Sequence, residues 1–212
     1  MENIVITIAR QYGSGGKTVG KMVADELGIP FYSRDILRLA SEDSGISEGL
    51  FGEADEKLKN NPFLRFSTNI YDGDVIPPGS GEFVSDKNLF NYQAKIIKQL
   101  AETQSCVIVG RCADYALAEY PNTVTVFITG DEEDKVKYMM EETNLDPAKA
   151  KDQIIKIDKK RASYYNYYAS KRWGDSKGYD LCLNSSATGV EGAVKIILEF
   201  AKIKQENNKN KN

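Results

Sequence analysis

The chain has 212 residues, 41% hydrophobic, 28% charged and 10% aromatic, with three Cys, one Trp and no His. This is the composition of a globular protein with one sizeable core. The missing imidazole excludes Ser-His and Cys-His nucleophile pairs, an imidazole base and His-ligated zinc. A net charge of −3 supplies no basic field for nucleic acid. Cys106, Cys112 and Cys182 form no C-x-x-C pair, which fits buried thiols in a reducing compartment. Neither a leader segment nor an apolar run of about 18 residues is evident, so a cytoplasmic protein with no nucleic-acid or membrane partner is expected.

Residues 4–9 read as a first buried strand. Val19, Met22, Val23 and Leu27 then recur at helical spacing, and the helix should stop at Gly28-Ile29-Pro30. A weaker strand follows at 29–32. Residues 44–86, with several glycines and Pro62, Pro77 and Pro78, read as a small mobile insertion on the acceptor side. Helices are predicted at 88–103, 111–119, 131–143 and 188–204, and strands at 106–109, 123–128 and 180–183. Asp146-Pro147 opens a long helix reaching about Ser170. The tail from Lys204, ending in a run of Asn and Lys, has nothing to bury and is expected to be disordered. The alternation predicts an α/β protein, a five-stranded parallel sheet flanked by helices, in one domain over 1–203.

Gln11-Tyr12-Gly13-Ser14-Gly15-Gly16-Lys17-Thr18 lies between the first strand and the first helix. In such a loop, glycines let backbone N–H groups curl towards phosphate oxygens, and the helix end adds its positive dipole. Lys17 would neutralise the β- and γ-phosphates of ATP, and the Thr18 hydroxyl would ligate Mg²⁺. The strict pattern G-x-x-x-x-G-K-[ST] is missed by one residue, because Gln11 stands at the first glycine.

Phosphoryl transfer also needs cations around an acceptor. Arg34, Asp35 and Arg38 open a helix after the second strand; alternatively these arginines pair on the surface with Asp35 and Glu42. Arg111 follows the third strand, where the carboxyl ends of a parallel sheet gather ligands. Asp158, Lys159, Lys160 and Arg161 sit within one helical turn, with Arg172 beyond. Tyr164, Tyr165, Tyr167 and Tyr168 read as packing residues.

With these pieces assembled, the sequence resembles the cytidylate-kinase-like proteins, a branch of the nucleoside monophosphate kinases with the P-loop fold. The segments that carry the resemblance are 8–18, 28–35, Val-Gly-Arg at 109–111, Asp-Lys-Lys-Arg at 158–161 and 179–185. The resemblance implies transfer of the ATP γ-phosphoryl to CMP or dCMP with Mg²⁺. It also implies acceptor contacts from Arg111, Asp158 and Arg161, and a lid at 131–175 that includes Arg172. The family's Gly-Arg-Asp motif reads Gly110-Arg111-Cys112 here, an Arg four residues before Asp158 is Ile154, and Ser33 and Val109 replace acidic residues. In the kinase reading Lys17, Lys160 and Arg161 carry catalysis and residues 13–18 bind ATP. Arg34, Asp35, Arg38, Arg111 and Asp158 hold a small phosphate-bearing acceptor. Two alternatives stay open: a nucleotide-binding regulatory protein with reduced catalysis, and a kinase of a non-nucleotide metabolite.

Overall fold

The computed structural model describes residues 3–56 and 74–209. Its centre is β1 (Val5–Arg10), whose first five residues are buried because both faces of the strand are covered. A strand buried on both sides needs apolar residues on both faces, and the β-branched run of β1 supplies them. With β2 (Phe31–Tyr32), β3 (Cys106–Val109), β4 (Thr123–Thr129) and β5 (Leu181–Asn184) it forms a parallel sheet in the order β2-β3-β1-β4-β5. Ile8 lies opposite Val109 on one side and Val126 on the other.

One face is covered by α1 (Gly16–Leu27) and α8 (Ser185–Lys209), which bring Val19, Val23, Val194 and Ile197 against Ile6, Ile8, Val107 and Ile128. Each such side chain contributes about 1.5–3 kcal/mol relative to exposure. The other face receives α2 (Asp35–Ser44), α3 (Glu48–Glu56), α4 (Asp86–Thr103) and α5 (Ala113–Ala116). There α7 (Pro147–Ala169) adds Tyr164, Tyr165 and Ala169. Its first half packs against α6 (Glu132–Thr143) around Met139, Ala150 and Ile154. Gly28 ends α1 in the left-handed conformation (φ 62°), as C-cap glycines do. Asp146 caps α7 by accepting from the Lys149 amide at 3.0 Å.

Two expectations need correction. The helix predicted at 111–119 shrinks to Ala113–Ala116, because Gly110, Arg111 and Cys112 all have positive φ (83°, 61° and 51°), which no α-helix continues. The chain beyond Lys204 stays helical to Lys209: Lys204 Nζ donates to the Thr123 carbonyl at 2.7 Å and to Asp180 at 2.8 Å. Within 44–86, Ile46, Phe51 and Ala54 are buried, whereas residues 77–82 are exposed. Asn88, fully buried, accepts from the Ile76 amide at 2.7 Å and donates to the Phe83 carbonyl at 2.8 Å. Residues 57–73, including Pro62, lie outside the described residues. No described helix is long and apolar enough to cross a membrane.

Candidate active site

Five residues separate the end of β1 from α1, and hydrogen bonds fix their path. The Gln11 amide donates to the Ile128 carbonyl at 2.9 Å, and Ser14 Oγ, buried, donates to the Gln11 carbonyl at 2.9 Å. Ser14 therefore holds the loop from inside. Gly13 and Gly15 have φ of 81° and 70°. At Gly13 a Cβ would also meet the Lys135 carbonyl at 3.0 Å, so a side chain is opposed by strain and by contact. No side chain caps α1, so its first turn is open to an anion. Lys17 and Thr18 are exposed on that turn and line a cavity of about 240 Å³ with Gly13, Tyr138, Glu142 and Arg161.

Gln11 also lines this cavity, but its side-chain amide is engaged on the protein side. Its Oε1 accepts from Thr129 Oγ1 at 2.6 Å, from Lys135 Nζ at 3.0 Å and, weakly, from the Gly130 amide at 3.4 Å. The residue that breaks the glycine pattern thus ties the loop to β4 and α6.

A larger cavity, about 500 Å³, opens at the carboxyl ends of β1 and β3, where the strand order reverses and where open α/β sheets bind ligands. Arg10, Ser33, Arg111, Asp114, Lys156, Lys160, Arg161, Tyr164, Tyr165 and Trp173 line it. Arg10, Tyr12 and Arg161 line both cavities, which therefore meet at these residues. Arg161 Nη1 donates to the Arg10 carbonyl at 3.1 Å, and its guanidinium lies over the Tyr12 ring at 5.3 Å. Asp158 stands 3.8 Å from Arg161 and accepts from the Tyr12 amide at 2.7 Å.

Electrostatics at this junction are unbalanced. Burial lowers the proton affinity of Arg10, and neighbouring Arg161 and Arg111 push the same way against Asp158. Burial likewise lowers Arg111 and Arg161. Burial raises Asp158, opposed by the Tyr12 amide and Arg161. Three desolvated guanidiniums gathered at one junction favour an added anion.

The turn that delivers Arg111 is costly. Two consecutive non-glycine residues in left-handed backbone cost on the order of 1–3 kcal/mol each. The turn is held by hydrogen bonds from the Gly110 amide to the Ile8 carbonyl (2.9 Å) and from the Ala113 amide to the Gly110 carbonyl (3.1 Å). At Gly110 (φ 83°) a Cβ would be strained and would displace the Arg10 guanidinium.

The structure thus brings Gly13, Gly15, Gly16, Lys17 and Thr18 together around one cavity and Arg111, Lys160 and Arg161 around the other. Other candidates are placed elsewhere. Asp158 faces the loop amide and lines neither cavity. Arg34, at the start of α2, is exposed but near enough to Arg111 to disfavour its charge. Asp35 accepts from the Ser33 amide at 3.4 Å. Arg38 pairs with Glu42 at 2.6 Å on the exposed face of α2, the surface alternative. Arg172 is exposed beyond α7, and its neighbour Trp173 lines the cavity in its place. Cys182 is exposed rather than buried, whereas burial pushes the Cys106 thiol up to about 12 and Cys112 well up, which leaves both unreactive at neutral pH.

Sequence reasoning missed Arg10 and Asp114. Arg10 had a signal: it is the charged residue that closes an otherwise apolar strand. Asp114 had none, lying in a short helix that follows an irregular turn. It is 8% exposed and accepts from the Tyr165 hydroxyl at 2.7 Å. Burial raises its carboxyl while the Tyr165 hydroxyl pulls it down. The tyrosines of α7 pack as expected, Tyr168 stacking on Phe90 at 4.1 Å, but Tyr164 and Tyr165 also wall the cavity.

The model of the cytidylate kinase-like family matches residues 5–187, a span that includes both cavities. The chain belongs to the cytidylate kinase-like family. An uncharacterized protein from Eubacterium ventriosum of known crystal structure is 31% identical, with a TM-score of 0.71 over 94% of this chain and 98% of that one. Shikimate kinase from Bacteroides thetaiotaomicron, 16% identical, has a TM-score of 0.51 over 94% and 98% of the two chains and shares the P-loop kinase fold. A search of the curated proteins finds no match. One departure from the cytidylate-kinase pattern has a packing cause: Ile154, where the resemblance leads one to expect Arg, is buried between α6 and α7.

Proposed function

We propose that this cytidylate kinase-like protein is an ATP-dependent phosphotransferase that passes the γ-phosphoryl group to the phosphate of a nucleoside monophosphate, CMP or dCMP foremost. The observation that carries this reading is the junction: a glycine-loop cavity and an arginine-lined cavity share Arg10, Tyr12 and Arg161. Donor and acceptor phosphates meet there.

In this reading the loop amides and Lys17 hold the donor phosphates, and Arg111 and Lys160 orient the acceptor. Arg10 and Arg161 face the transferring group from between the two. An acceptor phosphate oxygen forms the new bond to the γ-phosphorus as the bond to the bridging oxygen breaks, and ADP leaves with the electron pair. The acceptor is already anionic, so alignment and charge stabilisation do the catalysis and no strong base is required. This accounts for a site without histidine. Asp158 acts as a positioning residue by fixing the Tyr12 amide and Arg161.

Among the described residues no three acidic, Cys or His side chains cluster to hold a metal. The exposed Thr18 hydroxyl on the open first turn of α1 suits Mg²⁺, which keeps several waters and takes its other ligands from the nucleotide. When bound, the ion would neutralise charge on the β- and γ-phosphates.

A coupled assay with ATP, Mg²⁺ and CMP, dCMP, UMP, AMP and phosphorylatable non-nucleotide metabolites tests the reading. Turnover with a nucleoside monophosphate is expected. Turnover with a metabolite alone reassigns the acceptor, and ATP binding without turnover of any acceptor identifies a regulatory protein.

A further inference from the structure

Three cavities of the protein lie in a row. The glycine-loop cavity shares Arg10, Tyr12 and Arg161 with the larger cavity. The larger one shares Asp114 and Tyr165 with a third, about 480 Å³, which has no lining residue in common with the first. Asp114 and Tyr165 thus form the wall of the acceptor cavity away from the phosphate junction. The lining is cationic where it meets the glycine-loop cavity, at Arg10 and Arg161, and presents a carboxylate where it meets the third.

Asp114 is an unusual group to bury. Desolvation opposes its charge, and Lys171, the nearby cation acting on it, has only a minor influence. A carboxylate offers about four acceptor positions. The Tyr165 hydroxyl takes one, and the amides of Asp114 and Tyr115 also bond to it. Tyr165 orients the group, and these three donors leave about one acceptor position on a carboxylate that lines both cavities. Trp173 and Tyr164 supply flat apolar surface in the same cavity, which suits the body of a ring compound.

We infer that Asp114, oriented by Tyr165, determines acceptor specificity by accepting a hydrogen bond from an amino or hydroxyl group at the end of the acceptor opposite its phosphate. The inference rests on the larger cavity being the acceptor site. It defines the substrate class as a phosphate monoester, ring-bearing, with a donor group at its far end. A carboxylate discriminates against a carbonyl at that position, because two acceptors facing one another leave both unpaired.

The test measures binding and turnover of CMP, which carries an amino group on its base, UMP, which carries a carbonyl there, and ribose 5-phosphate, which lacks the base. Wild type is compared with Asp114→Asn and Tyr165→Phe, and ATP affinity reports an intact fold. Expected for Asp114→Asn is a tenfold or larger loss in kcat/KM for CMP, a CMP-to-UMP preference reduced by at least tenfold, and unchanged ATP affinity. Tyr165→Phe, which keeps the ring and releases the carboxylate, should raise the KM for CMP three- to tenfold with little change in kcat. Wild-type turnover of CMP with an unaltered CMP-to-UMP ratio in Asp114→Asn overturns this inference alone. So does an equal loss for all three compounds and ATP, which marks a structural role. Failure of wild type to bind any phosphate monoester removes the acceptor site and this inference together.

Discussion

The turn after β1 and the turn after β3 both run through left-handed backbone at the carboxyl end of the sheet, but they are built from different residues. The first uses glycine at each left-handed position, Gly13 and Gly15. In the proposed function the backbone itself meets the donor phosphates there, and a side chain would run into Lys135 or Val190. The second keeps glycine only at Gly110 and carries Arg111 and Cys112 through φ of 61° and 51°. There the side chain is what the site needs, and the fold bears strain to aim it. Glycine content therefore marks sites where backbone amides do the binding, while a strained non-glycine residue marks a site where a side chain does.

Perturbing the two turns should give different phenotypes. Lys17→Ala removes the cation of the donor loop and should lower turnover by about 100-fold or more, measured as kcat at saturating ATP; unchanged turnover would place Lys17 outside the site. Arg111→Ala should fall on the acceptor instead, raising its KM by roughly 10- to 100-fold, the worth of about 1.4–2.8 kcal/mol, with ATP affinity held. A loss shared equally by both substrates would erase the distinction between the turns. Gly13→Ala should cost about 1–2 kcal/mol of stability, read by urea unfolding, and weaken ATP binding as the loop moves off the Lys135 carbonyl. Gln11→Gly restores the strict glycine pattern, yet ATP affinity should fall a few-fold, because the bonds to Thr129 and Lys135 are lost. Tighter ATP binding by this variant would show that Gln11 is only a missing glycine.

The smallest effect belongs to a pair outside both turns. Asp180 is partly buried, which works against its charge, but Lys204 and Thr125 outweigh this and hold its carboxyl below the usual value. A carboxyl depressed in the folded state contributes stability above its unfolded value, near 3.9, and loses it as pH falls through the folded value. Asp180→Asn should therefore destabilise the protein slightly at pH 7 and progressively less as pH falls below the usual carboxylate range, in parallel urea titrations, with turnover per folded molecule unchanged.

Much of the sheet was legible because its central strands β3, β1 and β4 are buried on both faces and leave β-branched runs in the sequence; 106–109 matches β3 residue for residue. Helices α1 and α7 announced their ends through Gly28 and Asp146-Pro147. The glycine loop was legible because its chemistry is backbone chemistry and needs contiguous residues. The acceptor side was not, since it assembles residues from β1, the β3 turn, α5 and α7 that only the fold brings together. Arg38 and Arg172 carried the same local signal as Arg111 and Arg161, and only packing separates the surface pair from the buried one. The helical course of 204–209 depended on Lys204 reaching Thr123 and Asp180, a contact no local pattern encodes.

Helix α7 touches the donor loop through Asp158 and Arg161, the acceptor cavity through Tyr164 and Tyr165, and α4 through Tyr168, whose hydroxyl donates to the Asp86 carbonyl at 3.0 Å. In the proposed function a single helix thus borders both ligands. Any ligand that shifts it changes the free energy of the other, and thermodynamic reciprocity makes the two changes equal. The factor by which a non-hydrolysable ATP analogue alters CMP affinity should equal the factor by which CMP alters affinity for the analogue, and a factor of one would mean that α7 stays still while both compartments fill.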